Sequence, residues 1–219
     1  MNKKYFYWDF AAKKYDFWRN LEMNSDIQVA NNIANKIQVD DKVLEIACGT
    51  GRLSCLILNK TQVPFNYLAT DISSQMINVC KNKTSELKFQ IADATNLEYE
   101  DKSFNHIIIG NALHIMPKPE KALAEAYRVL KDDGLLHAPQ FLTPSTVREK
   151  FILNITRLLG YKVFNEFELD SYLSFLESNG FKATKKEIYT CFRNMLYVSC
   201  NKKSLDEEKQ NSGHSKIRI

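Results

Sequence analysis

A chain of 219 residues is sized for one domain with extensions, and 44% hydrophobic with 26% charged residues excludes a disordered or fibrous protein. Half of the net charge of +4 sits in the tail from Asn201 to Ile219, with five Lys/Arg against three Asp/Glu; elsewhere Lys and Arg alternate with acids, which argues against the basic stripe of a nucleic-acid binder. Five cysteines (Cys48, Cys55, Cys80, Cys191, Cys200) form no C-x-x-C pair, so neither a disulfide scaffold nor a metal site is expected. No signal-peptide pattern opens the chain and no stretch reaches membrane-spanning length, so the expected compartment is reducing and cytoplasmic.

Two helices are expected first. One lies within Tyr5 to Trp18 and is crowded with aromatics; the other is marked by a capping-box pattern at Ser25 and Gln28, then by Ile27, Ala30, Ile33, Ala34 and Ile37 at helical spacing. From Lys42 the pattern becomes strand and helix in alternation. Val43 to Ala47 reads as a buried strand, Cys48 to Gly51 as a turn, and Arg52 to Leu58 as a helix. Tyr67 to Thr70 is strand two, ending at Asp71, and a helix runs from Ser73 to about Lys83. Leu87 to Ala92 and Phe104 to Ile109 are strands three and four. Pro119 to Leu130 is a helix with Pro at its start and Gly134 as its stop. Leu135 to Phe141 is strand five, and Thr143-Pro144 opens a helix with Val147, Phe151, Ile152, Ile155, Leu158 and Leu159 on one face. A helix with Leu169, Tyr172, Leu173 and Leu176 stops at Asn179-Gly180, and runs near Phe181 to Ile188 and Cys191 to Cys200 are strands close enough to pair antiparallel. Strands alternating with helices require a mostly parallel, doubly wound α/β sheet.

The stretch Val43-Leu44-Glu45-Ile46-Ala47-Cys48-Gly49-Thr50-Gly51 joins a buried strand to a glycine-rich turn and then a helix, and Asp71 follows twenty residues after Gly51 at the end of strand two. That is where an acid accepts hydrogen bonds from the hydroxyls of an adenosine ribose. Together with Ala92-Asp93-Ala94 after strand three, the run Asn111 to Pro117, and the helix through Arg128-Val129-Leu130-Lys131, the pattern resembles the class I S-adenosylmethionine (SAM)-dependent methyltransferases. It is most similar to the small-molecule branch that includes quinone-biosynthesis C-methyltransferases. The resemblance covers about Lys42 to Phe141, with weaker agreement to Cys200.

The resemblance implies a Rossmann-like seven-stranded sheet with an antiparallel last strand, SAM as cofactor, and methyl transfer to a small-molecule acceptor. It implies that Glu45 anchors the glycine turn (Ala47, Cys48, Gly49, Gly51) and meets the methionine amino group. Asp71 takes the ribose, Ile72 and Met76 lie by the adenine, Asp93 and Ala94 bind its edge, and Asn111 borders the methionine portion and the acceptor. Tyr15 resembles a tyrosine that touches the cofactor. Ala47 stands where the commoner pattern has glycine. His114 and His137, near the ends of strands four and five, are the candidate general bases.

Residues 1–40 are read as N-terminal helices, either a lid over the acceptor pocket or a packed helix; 41–200 as the SAM-binding domain; and 201–219 as a polar, disordered tail. The chain is expected to be a monomer or homodimer. A nicotinamide dehydrogenase would want a third glycine where Ser54 stands, and a nucleic-acid amino-methyltransferase would want Asn-Pro-Pro-aromatic after strand four. A SAM-binding scaffold without turnover and an RNA or protein methyltransferase remain as alternatives.

Overall fold

The computed structural model describes residues 23–158, 161–190 and 193–203, so the aromatic segment with Tyr15 and most of the polar tail lie outside it. Its first element is α1 (Met23–Ala34), which buries Val29, Ala30, Ile33 and Ala34. Ser25 is buried within α1, so the capping box expected there does not mark a helix start. There follow β1 (Lys42–Ile46), α2 (Arg52–Lys60), β2 (Asn66–Asp71), α3 (Ser74–Lys83), β3 (Lys88–Ile91), β4 (Phe104–Ile108) and α4 (Pro119–Val129). The chain continues through β5 (Leu130–His137), β6 (Gln140–Phe141), α5 (Val147–Leu158), α6 (Leu169–Ser178), β7 (Phe181–Thr190) and β8 (Asn194–Lys202).

The sheet order is β3-β2-β1-β4-β5-β8-β6, with β7 on β8. Pairing is parallel from β3 through β5, and β8 runs antiparallel to β5, β6 and β7. Because β7 holds one edge of β8 along its length, β5 and β6 must lie end to end on the other. They are the single strand expected from Leu135 to Phe141, interrupted at Ala138-Pro139, so the eight strands reduce to the seven-stranded arrangement. The β1 strand is central, with a buried apolar run flanked on both sides, as a parallel sheet covered by helices demands. Successive crossovers leave β1 in opposite directions, first toward β2 and β3, then toward β4 and β5, and this reversal opens a crevice at the strands' carboxyl ends.

Two elements depart from expectation. The α4 helix ends at Val129, because Leu130 turns extended and pairs at once with Phe104, and a bulge between Phe104 and His106 absorbs the misfit. Gly134 therefore sits inside β5 rather than at a helix stop, and a Cβ there would come within 2.9 Å of the Asn105 carbonyl oxygen. In α5, the residues Val147, Phe151, Ile155 and Leu158 do share a face, but it points to solvent while Leu153 turns inward. Among the described residues no helix is long and apolar enough to cross a membrane.

Candidate active site

At the end of β1 the backbone turns through Ala47 (φ 57°), Gly49 (φ 56°) and Gly51 (φ 70°), all left-handed. For glycine this costs little; for Ala47 the Cβ meets the following carbonyl, a strain of about 1–2 kcal/mol. Ala47→Gly is therefore expected to raise the melting temperature by about 2–4 °C, less whatever the extra freedom of glycine in the unfolded chain takes back, and differential scanning calorimetry would read it. Gly51 has a different reason to be glycine. A Cβ there would lie 2.9 Å from Cys80 Sγ and 3.4 Å from the Phe89 ring, so close packing of α3 and β3 against the turn requires it.

Both glycines of the turn find partners for their N–H groups within the protein. Gly49 N–H donates to Asp71 Oδ2 (2.9 Å), Gly51 N–H to the Cys48 carbonyl (3.0 Å), and Cys80 donates its thiol proton to the Gly49 carbonyl (3.2 Å). Asp71 Oδ1 accepts the Ser73 N–H (2.9 Å), and the Ser73 hydroxyl caps α3 through the Met76 N–H. One carboxylate at the tip of β2 thus couples the glycine turn to the start of α3. A carboxylate has about four acceptor positions, so Asp71 can hold both amides and still accept from a ligand.

Glu45 is buried beneath the turn, its Oε2 accepting from the Ser54 hydroxyl and from Tyr67 Oη (2.7 Å). Burial pushes its carboxyl up to about 7, only partly offset by those two donors. The serine that takes the place of a third glycine at position 54 is therefore a partner of the buried acid. Neither Ser54 nor Tyr67 was singled out by the sequence reading; an interior carboxylate with no cation nearby in the motif is the signal that two hydroxyls had to be found.

A cavity of about 300 Å³ opens over this ensemble. Glu45, Ala47, Cys48, Gly49, Asp71, Ile72, Met76, Asp93, Ala94 and Asn111 all line it. Asp93, at its exposed edge, accepts from the Thr95 N–H and hydroxyl through Oδ1, both at 2.8 Å. Asn111 (φ 52°) accepts the Phe141 N–H at 2.8 Å, tying the loop after β4 to β6. The lining also includes the apolar side chains Val29, Leu53, Ile115, Met116, Pro139 and Met195. At the α1 side Arg52 Nε donates to Asp26 Oδ2 (2.8 Å), and both residues line the cavity, although neither was expected there.

Neither candidate histidine lines that cavity. His114 is held between Gln140 Nε2 (2.8 Å at Nδ1) and Tyr161 Oη (2.7 Å at Nε2). His137 is fully buried in a chain of hydrogen bonds: Asp41 Oδ2 to His106 Nε2 (3.1 Å), His106 Nδ1 to His137 Nε2 (3.1 Å), His137 Nδ1 to Tyr197 Oη (3.0 Å). With Asp41 accepting at one end and Tyr197 donating at the other, each neutral imidazole has a defined tautomer. Burial holds both rings below the ordinary histidine value, His137 well below it, and Asp41 opposes the shift at His106. The unfolded chain therefore takes up protons that the folded one refuses, and these two residues cost stability as pH falls below about 6.5. His137→Phe is expected to lower stability by about 2–4 kcal/mol by orphaning His106 Nδ1 and the Tyr197 hydroxyl, with SAM affinity unchanged; urea titration and calorimetry measure the two.

Comparison with known proteins follows the same lines. Residues 44–138 match the methyltransferase domain family. The chain is 28% identical over 183 residues to a demethylmenaquinone methyltransferase of Lactobacillus johnsonii, covering 76% of this chain and 73% of that one. It is 30% identical over 134 residues to a ubiquinone/menaquinone biosynthesis C-methyltransferase of Rickettsia akari, covering 57% of this chain and 53%, about half, of that relative's length. A solved SAM-dependent methyltransferase of Thermotoga maritima superimposes with a TM-score of 0.70 at 18% identity, over 91% of this chain and 100% of that one. The turn and the β2 acid both fall within the matched residues, and over that span the chain is similar to the methyltransferase domain family.

Proposed function

We propose that the chain transfers the methyl group of SAM to a ring carbon of a small, apolar quinol-type acceptor. The observation that carries this reading is a single cavity whose lining combines the carboxylates Asp71 and Glu45 with the apolar side chains Ile115, Met116, Pro139 and Met195. In it Asp71 receives the ribose hydroxyls, Asp93 and Ala94 face the adenine edge beside Ile72 and Met76, and Glu45 attracts the methionine ammonium. The two relatives act, by name, in quinone biosynthesis, and an apolar wall suits a quinol ring.

SAM supplies a methyl already activated on a sulfonium. The chain's own residues bind, orient and exclude water, and such placement can supply on the order of 7–11 kcal/mol. As the acceptor carbon bonds to the methyl, the carbon–sulfur bond breaks, S-adenosylhomocysteine leaves, and the ring carbon loses a proton. Neither His114 nor His137 lines the cavity, and the ring proton passes to solvent water. The test is incubation with methyl-labelled SAM and a reduced quinol lacking its ring methyl. Labelled product with equimolar S-adenosylhomocysteine is expected; SAM binding without label transfer to any quinol would overturn the acceptor class.

A further inference from the structure

The large apolar side chains that this fold leaves in solvent concentrate on one helix. On α5, Val147, Phe151, Ile155 and Leu158 follow one another at intervals of four, four and three residues and so form a single stripe. They are 85, 64, 42 and 88% exposed, and Phe164 just beyond is 51% exposed. A surface helix ordinarily turns such a stripe inward; here Leu153 faces the interior instead. A contiguous exposed patch of this kind marks an interaction surface.

Its charge says what it meets. By helical geometry Arg148 and Lys150 edge the stripe on either side, and 147–164 also holds Arg157 and Lys162 against the single acid Glu149. Glu149 folds back to accept the Ser145 N–H (2.8 Å), and Glu166 pairs with Arg157, so the edge stays cationic through Lys150 and Lys162. A second copy docked on a two-fold axis would bring the same cationic edges together. An apolar stripe between cations is instead the pattern of a helix lying in the plane of an anionic lipid surface. The following segment is tied to the cavity wall: Phe164 N–H donates to the His114 carbonyl (2.9 Å) and the Asn165 side chain to the Met116 carbonyl (3.1 Å).

We propose that α5 and Phe164 form a docking surface for an anionic bilayer, with Phe151 and Leu158 entering the acyl boundary and Lys150 and Lys162 at the headgroups. This seat places the segment that holds Met116 of the cavity lining beside the membrane, yet it stands apart from the choice of acceptor. Co-sedimentation with vesicles of phosphatidylcholine alone, or with about one third phosphatidylglycerol, tests it. Wild type is expected to bind the anionic vesicles, less as salt rises, and F151E/L158E to lose at least about tenfold in partitioning. K150E/K162E is expected to lose binding to anionic vesicles as well. SAM calorimetry on each variant reports that the fold and cofactor site are intact, so failure here is separable from failure of the methyl-transfer reading. Equal partitioning of wild type and F151E/L158E, or binding indifferent to K150E/K162E, would overturn the proposal. So would a dimer in light scattering that F151E/L158E dissociates, which would assign the stripe to a second copy.

Discussion

Asp71→Ala is expected to weaken SAM binding by at least about 100-fold. In the proposed binding mode the side chain offers its charge to two ribose hydroxyls, and hydrogen bonds to a charged group contribute about 1.5–3 kcal/mol each. It also accepts the Gly49 and Ser73 amides, so its loss frees the glycine turn from the start of α3 as well as removing ligand contacts. Two amides left without their partner should cost the apo protein about 2 kcal/mol or more. Asp71→Asn, which keeps acceptor capacity at one atom, is expected to fall between. Titration calorimetry with SAM checks the first effect and urea unfolding the second; wild-type affinity in Asp71→Ala would remove this residue from the site.

Glu45→Gln is the second large effect, and its signature is a split. The buried carboxyl stands near 7, so at neutral pH it is about half protonated, while the ammonium of bound SAM favours the ionised form. Binding should therefore expel a proton, and affinity should climb by up to about tenfold per pH unit below 7 and level off above it. The same linkage acts on the apo protein with the opposite sign. Because the folded-state value is raised, the contribution of Glu45 to stability is whole below about 4.5 and is lost as pH rises through about 7. With Gln in its place, Ser54 and Tyr67 still donate to an oxygen, no charge is buried, and the apo protein should be at least as stable at pH 8. SAM affinity at that pH should nonetheless drop by about 1.5–3 kcal/mol and lose its pH dependence. Affinity measured from pH 6 to 8 in both proteins decides it; an unchanged pH profile in Glu45→Gln would show that another group governs binding.

The parts of the site that could be read from the sequence are those whose geometry is local. A strand, a glycine bend and a helix fix where Glu45, Gly49 and the start of α2 lie, and an acid at the end of the next strand must return beside them because β1 and β2 pair in parallel. What could not be read depends on facing and register. His137 is near the carboxyl end of β5, as expected for a site residue, but it stands in register with Ile108, two strands from β1, and is held inside the protein by His106 and Tyr197. Its neighbours there, His106 and Tyr197, come from β4 and β8, which no spacing in the sequence connects. The α5 stripe was legible as periodic but not as unpartnered, since periodicity names a face without naming what it packs on. The Asp26–Arg52 pair escaped for the same reason: it joins two helices separated by β1. Gly51, carried over as a cofactor contact, turned out to be required by Cys80 and Phe89 behind the turn, a contact across 29 and 38 residues of chain.

The account as a whole rests on the β2 acid and the glycine bend holding an adenosine between them, and titration calorimetry of the purified chain with SAM and with S-adenosylhomocysteine tests that directly. Saturable binding of each at one site per chain, mutually competitive and reduced at least about 100-fold in Asp71→Ala, is the predicted result. A folded chain that releases no heat with either compound, and whose melting temperature neither compound moves, would contradict it.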